Sequence, residues 1–91
     1  MTETPTDVKV TVLLFGKARE LADRPQIDLT LPSHLSYAQL KHLVFQSIEG
    51  LSPIEKSCML ALDQSYLSYD DEQIVLTEKS ELAVIPPLSG G

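Results

Sequence analysis

The segment VKVTVLLF, residues 8–15, determines the fold because its side chains alternate with the period of a β-strand. One face of this strand carries Val8, Val10, Val12 and Leu14. The opposite face is polar at Lys9 and Thr11 but apolar at Leu13 and Phe15. The pattern predicts a strand with one buried face and a second face that becomes apolar only toward its end.

The elements that follow predict a hairpin. Gly16 ends the first strand, and residues 17–22 can form one or two turns of helix before Pro25. Residues 26–31 alternate again, with Ile27, Leu29 and Leu31 facing inward. Because this second strand follows so soon after the first, we expect the two to pair in antiparallel fashion.

The clearest helix begins at Ser36. Ser36 and Gln39 have the spacing of a capping box, in which each side chain accepts from a backbone donor of the other residue. Three- and four-residue intervals then place Tyr37, Leu40, Val44 and Ile48 on one stripe. This stripe predicts a helix packed against the core, and Gly50 followed by Pro53 predicts its end.

The C-terminal half contains several short extended segments. These are residues 59–62, 66–69, 74–76 and 82–85. Asp63-Gln64 predicts a turn after the first of them, and the acidic run 70–72 predicts a solvated loop. The only cysteine, Cys58, precedes the first segment, and we interpret residues 58–62 as a buried strand.

The order of elements predicts an α+β fold, the β-grasp or ubiquitin-like fold. Its mixed sheet would carry one main helix, and the right-handed crossover rule places the last strand beside the first, parallel to it and central. We expect a disordered N-terminal segment over residues 1–7, the β-grasp domain over 8–87 and a flexible C-terminal diglycine tail over 88–91.

Composition excludes several classes of function. Seven Lys and Arg against thirteen Asp and Glu give a formal net charge of −6, which disfavours nucleic acid and anionic membranes and suits basic partner proteins. The apolar runs are too short to span a membrane, and residues 1–7 lack a signal pattern, so we expect a cytoplasmic protein in the cytosol. His34 and His42 lack partners at metal-ligand spacing, so no metal site is expected.

The tail is the strongest candidate site. The sequence ends Pro86-Pro87-Leu88-Ser89-Gly90-Gly91. Two glycines without side chains can enter a narrow tunnel, while the prolines stiffen the root of the tail. The four residues after the prolines reach at most about 13–14 Å. A frayed chain end is the alternative interpretation.

Residues 14–20, 62–66 and 81–91 resemble the sulfur-carrier small subunits of molybdopterin synthase. The resemblance implies that Gly91 is the reactive residue. An ATP-consuming, ubiquitin-activating-like enzyme would adenylate it, and a sulfurtransferase would convert it to a thiocarboxylate. The thiocarboxylate would then donate sulfur to cyclic pyranopterin monophosphate, forming the dithiolene of molybdopterin in molybdenum cofactor biosynthesis.

The same resemblance implies the partners and the remaining site residues. Gly90, Ser89, Leu88, Pro87 and Pro86 would give the tail access to a pocket of the large subunit. The complex would be a heterotetramer of two small and two large subunits. No bound cofactor and no autonomous catalytic site are expected in this chain, because ATP is consumed by the activating enzyme.

The sequence departs from the family's usual pattern in three places, one of which spans two residues. Asp63 stands in place of asparagine, and Gly16 stands in place of alanine. Lys79-Ser80 stands in place of Gly-Asp in the turn before the last strand. Because lysine with a positive φ costs about 1–2 kcal/mol, we expect this turn to be built differently.

Strand parity predicts a partner surface beside the tail. Phe15, Tyr66 and Ile85 would all face away from the core and form one apolar patch. The alternative is that a loop covers this face of the sheet.

Three other functions stay open at this point. The chain could carry sulfur for thiazole synthesis or tRNA thiolation. It could be a ubiquitin-like modifier that forms isopeptide bonds through Gly91. It could also be a β-grasp interaction module whose diglycine has no role.

Overall fold

The computed structural model of the protein describes residues 7–87. Its helices are α1 (Gly16–Ala22) and α2 (Tyr37–Ser47), with a 3-10 helix at Ser52–Ser57. Its strands are β1 (Asp7–Leu14), β2 (Gln26–Pro32), β3 (His34–Leu35), β4 (Met59–Leu62), β5 (Ser65–Tyr66), β6 (Ile74–Val75) and β7 (Glu81–Ile85). Strand β1 starts at Asp7, one residue before the start predicted for this strand.

The described strands form the predicted mixed sheet. Five of them lie in the order β2-β1-β7-β4-β5, and β3 pairs with β6 in a separate two-stranded sheet. The pair β1–β7 is parallel, whereas β1–β2, β4–β5 and β4–β7 are antiparallel. The β-grasp prediction is confirmed, including the central and parallel position of the last strand.

Helix α2 packs across the inner face of this sheet. The predicted stripe Tyr37, Leu40, Val44 and Ile48 is buried. Both bonds of the predicted capping box are present: the Gln39 amide donates to Ser36 Oγ at 3.2 Å, and the Ser36 amide donates to Gln39 Oε1 at 2.9 Å. The helix ends at Ser47, three residues before the predicted Gly50.

Two described elements were not predicted, and two predicted strands are shorter than expected. Strand β5 covers Ser65–Tyr66, so it overlaps the predicted segment 66–69 only at Tyr66, and β6 covers only Ile74–Val75 of the predicted 74–76. Strand β3 and the 3-10 helix are the unpredicted elements. A two-residue strand has no periodicity for a sequence pattern to detect.

Two turns match the predictions made for them. Asp63 and Gln64 have φ of 50° and 72°, as a two-residue hairpin loop with matching twist requires. Among residues 7–87, positive φ at non-glycine positions occurs at Asp23, Asp63 and Gln64, so Lys79 avoids it. The turn before β7 is instead held by hydroxyl groups, because the Thr77 amide donates to Ser80 Oγ at 2.9 Å.

None of the helices between residues 7 and 87 is both long and apolar enough to cross a membrane.

Candidate functional site at the root of the tail

Strand β7 brings the chain from the centre of the sheet to the prolines of the predicted tail. It is paired on one side with β1 and on the other with β4, where Ile85 lies opposite Met59. Pro86 is half-buried and Pro87 is exposed. Leu88, Ser89, Gly90 and Gly91 lie outside the described residues, so the predictions on them stay predictions.

Pro86 packs against the start of α1. The residue at that start, Gly16, has a left-handed φ of 52°, and a Cβ built on it would lie 3.5 Å from Cγ of Pro86. Glycine accepts this φ without the steric cost that alanine would meet. An alanine here would therefore be strained by its backbone angle, although its Cβ would make only an ordinary van der Waals contact with Pro86.

A hollow of about 310 Å³ lies beside these prolines. It is lined by Lys17, Ile54, Ser57, Cys58, Pro86 and Pro87. Cys58 is only 2% exposed, and burial raises the pKa of its thiol, while the positive charge of Lys41 lowers it in part. The thiol is therefore protonated near neutral pH, which supports the interpretation of Cys58 as a core residue rather than a nucleophile.

The outward face of the sheet is apolar next to the root. Leu13 pairs with Ala83, Ala83 with Ala61, and Ala61 with Tyr66, so these residues form one row across four strands. One step nearer the tail, Ile85 pairs with Met59. The alternation of β1 places Phe15 in this second row. We call Phe15, Ile85, Met59, Leu13, Ala83 and Tyr66 the apolar patch.

The structure therefore brings Phe15, Tyr66 and Ile85 to one face, as predicted. Phe15 is 48% exposed and Tyr66 is 66% exposed, so within residues 7–87 no loop covers them. Ile85 is half-buried between its neighbouring strands.

Met59 was missed, because the interpretation of residues 58–62 as a buried strand is wrong at this position. Met59 is 46% exposed, whereas Leu60 is fully buried. Residues 58–62 are all apolar, so composition could not distinguish the two faces. The signal that could have found Met59 was strand parity, because Met59 and Ala61 lie on the side of the strand opposite Leu60.

The histidines have local partners, and the described part of the chain holds no metal site. His34 Nδ1 lies 2.9 Å from Ser33 Oγ, and His42 Nδ1 lies 3.6 Å from a carboxylate oxygen of Glu55. No group of three His, Cys, Asp or Glu side chains within residues 7–87 could hold a metal ion. What residues 7–87 offer beside the predicted tail is a strand paired on both sides and an exposed apolar patch.

Comparison with known proteins connects this geometry to a family. The model of the ThiS family matches residues 12–91. The molybdopterin synthase sulfur carrier subunit of Drosophila yakuba is 43% identical over 84 residues, which are 92% of each chain.

Two solved structures share the fold. The small archaeal modifier protein 1 of Methanosarcina acetivorans superimposes with a TM-score of 0.71 at 20% identity, over 94% of this chain and 99% of that one. A chain from the complex of subunits 1 and 2 of the molybdopterin-converting factor of Helicobacter pylori superimposes with a TM-score of 0.64 at 22% identity, over 91% and 99%.

Proposed function

The chain belongs to the ThiS family, and from this premise we propose that it is the sulfur carrier subunit of a molybdopterin synthase. The observation that carries the proposal is the 43% identity, over 92% of both chains, to a protein of that name. The central position of β7 supports it, because a strand paired on both sides holds the root of the tail in a fixed place.

Gly91 is the reactive residue in this proposal. A carboxylate is a poor electrophile, because its charge is shared by two oxygens. One of these oxygens attacks the α-phosphate of ATP on an activating enzyme, which releases pyrophosphate and leaves an acyl adenylate. A sulfurtransferase then supplies sulfur at the oxidation level of sulfide, which attacks the acyl carbon, displaces AMP and forms the thiocarboxylate.

The thiocarboxylate donates its sulfur to cyclic pyranopterin monophosphate. The ionised sulfur attacks a carbon of this precursor and replaces an oxygen substituent, which leaves with a proton, and water then cleaves the bond between sulfur and the acyl carbon. Each chain thus delivers one of the two sulfur atoms of the dithiolene, so two loaded chains are consumed for each product, and Gly91 regains a carboxylate. The groups that bind the precursor and move protons belong to the large subunit.

This chain contributes position and access. Gly90 and Gly91 have no side chains, so the end of the tail fits a narrow passage. Pro86 and Pro87 restrict the backbone at its root, and Pro86 packs close to Gly16. The remaining four residues reach at most about 13–14 Å into a partner.

The apolar patch is the surface on which the large subunit docks. It lies directly beside the root of the tail, and exposed apolar groups in one contiguous area are typical of interaction sites. The Helicobacter pylori chain of similar fold belongs to a complex of subunits 1 and 2 of the molybdopterin-converting factor, which supports a partner of this kind. We extend the proposal to a heterotetramer of two small and two large subunits, in the cytosol.

Reconstitution tests the proposed function. The chain is prepared with a thiocarboxylate at Gly91, as confirmed by intact mass, and mixed with a molybdopterin synthase large subunit and cyclic pyranopterin monophosphate. We expect the dithiolene product when this chain is the only source of sulfur, and none with the carboxylate form.

Two controls separate the alternatives. A variant that lacks Gly91 should bind the large subunit but yield no product, whereas product from this variant would contradict the proposal. A thiocarboxylate that forms but gives no product with the large subunit would instead favour a carrier for thiazole synthesis or tRNA thiolation. Adducts with the mass of a second protein would favour a ubiquitin-like modifier.

A further inference from the structure

The outward face of the sheet continues beyond the apolar patch into a row of carboxylates. Thr11 of β1 pairs with Asp28 of β2 on one side and with Glu81 of β7 on the other. Asp63 extends this row, because its Oδ1 accepts from the Glu81 amide at 2.9 Å while its own amide donates to the Glu81 carbonyl at 2.8 Å. We call Asp28, Glu81 and Asp63 the acidic row.

The acidic row and the apolar patch belong to one continuous surface. Thr11 lies two residues before Leu13, and Glu81 lies two residues before Ala83, so the rows share the same side of the sheet. A two-residue step along a strand is about 6.6–6.8 Å. Asp28 and Glu81 are separated by two strand spacings, or about 9.6 Å. The surface is thus apolar near the tail and negative one row further away.

The carboxylates of this row are exposed, and within residues 7–87 none of them forms an ion pair. Lys9 lies on the same face one row further from the apolar patch, where it pairs across the strands with Thr30.

Two of the three carboxylates are already held in position. The hydroxyl of Thr11 donates to Asp28 Oδ1 at 3.0 Å, and the amide of Glu81 fixes Asp63. Side chains that are ordered before binding lose less conformational entropy when a partner arrives.

We propose that the acidic row is the electrostatic half of the docking surface. The occupant is the large subunit. Its Lys or Arg side chains would lie about 7 Å from the site that receives the apolar patch, because the acidic row and the patch are separated by a two-residue step along the strands. This inference rests on the proposed function. Exposed charges at the edge of an interface act mainly on the association rate and its salt dependence, so the row steers the carrier into the orientation that aligns its tail.

The test compares two triple variants of equal charge. In the first, Asp28→Asn, Asp63→Asn and Glu81→Gln neutralise the row while keeping the oxygen acceptors for Thr11 and the Glu81 amide. In the second, Glu49→Gln, Glu72→Gln and Glu78→Gln remove three exposed carboxylates that lie outside the strands of the five-stranded sheet. Stopped-flow association with the large subunit is measured at low and at physiological ionic strength.

We expect the row variant to associate roughly tenfold more slowly at low salt, with a flatter dependence on ionic strength, while the control variant stays within twofold of the original chain. Equal rates and equal salt dependence for the two variants would overturn the inference and leave the proposed function standing. Failure of the unmodified chain to bind the large subunit would overturn both.

Discussion

The two faces of the central sheet are made by the same strands and differ by a single step along the chain. On the inner face, Val12, Leu82 and Val84 are fully buried beneath α2. On the outer face, Phe15 and Met59 keep almost half of their surface exposed, although they are equally apolar. Apolar character thus has two uses here, because the inner face stabilises the fold and the outer face is free to contact a partner.

The largest effect on stability should come from the inner face. Leu82→Ala leaves a cavity under α2, so we expect the free energy of unfolding to fall by about 2–5 kcal/mol. Ile85→Ala, on the outer face of the same strand, should cost less than half as much. Urea denaturation measures both, and equal losses at the two positions would contradict the assignment of the faces.

The largest effect on binding should come from the outer face. Phe15→Asp places a charge in the apolar patch, so we expect its affinity for the large subunit to fall by at least about 2 kcal/mol, with an unchanged circular dichroism spectrum. Val75→Asp is the matched control, because Val75 is 54% exposed in β6, on the separate small sheet. Titration calorimetry that shows unchanged affinity for Phe15→Asp would rule out the patch as the docking surface.

A smaller change should come from the helix that covers the inner face. Ser36→Ala removes the Oγ that accepts from the Gln39 amide, which is one of the two bonds of the capping box. We therefore expect a loss of about 1 kcal/mol in the free energy of unfolding. Ser47→Ala, at the exposed end of α2, should change it by less than about 0.5 kcal/mol. Binding to the large subunit should be unaffected by either change, and weaker binding would mean that the two faces are coupled.

The smallest effect concerns the pH dependence of the inner face near Cys58. Burial raises the pKa of this thiol above its ordinary value of 9.0, so the unfolded chain ionises first. The contribution of the buried thiol to stability is therefore fully present when the pH is below the ordinary pKa, and it is lost as the pH rises toward the raised pKa of the folded state. We therefore expect the stability difference between the original chain and Cys58→Ala to shrink between neutral pH and about pH 10. A difference that stays constant over this range would show that burial does not act on the thiol in this way.

The features that the sequence predicted well are those with a local or directional signal. The alternation of β1, the capping box at Ser36 and the parallel placement of β7 beside β1 each follow from a few neighbouring residues or from chain geometry. The positive φ at Asp63 follows from the chemistry of a two-residue turn.

The features that were missed depend on pairing across the fold. Met59 faces outward because of its register with Ile85, and the acidic row exists only because β2, β1 and β7 align three distant segments. The burial of Lys41 was also missed. It is 5% exposed, and its Nζ lies over the rings of Tyr37 and Tyr69, which a hydropathy pattern does not register for a lysine.

The most direct test of the central claim follows the sulfur atom itself. The chain is loaded at Gly91 with a heavy sulfur isotope and mixed with the large subunit at two loaded chains for each molecule of cyclic pyranopterin monophosphate, and the masses of the chain and of the product are recorded. The account predicts that the heavy isotope appears in the dithiolene as the chain returns to its carboxylate mass. Heavy sulfur that stays on the chain, or a product made with unlabelled sulfur, would contradict it.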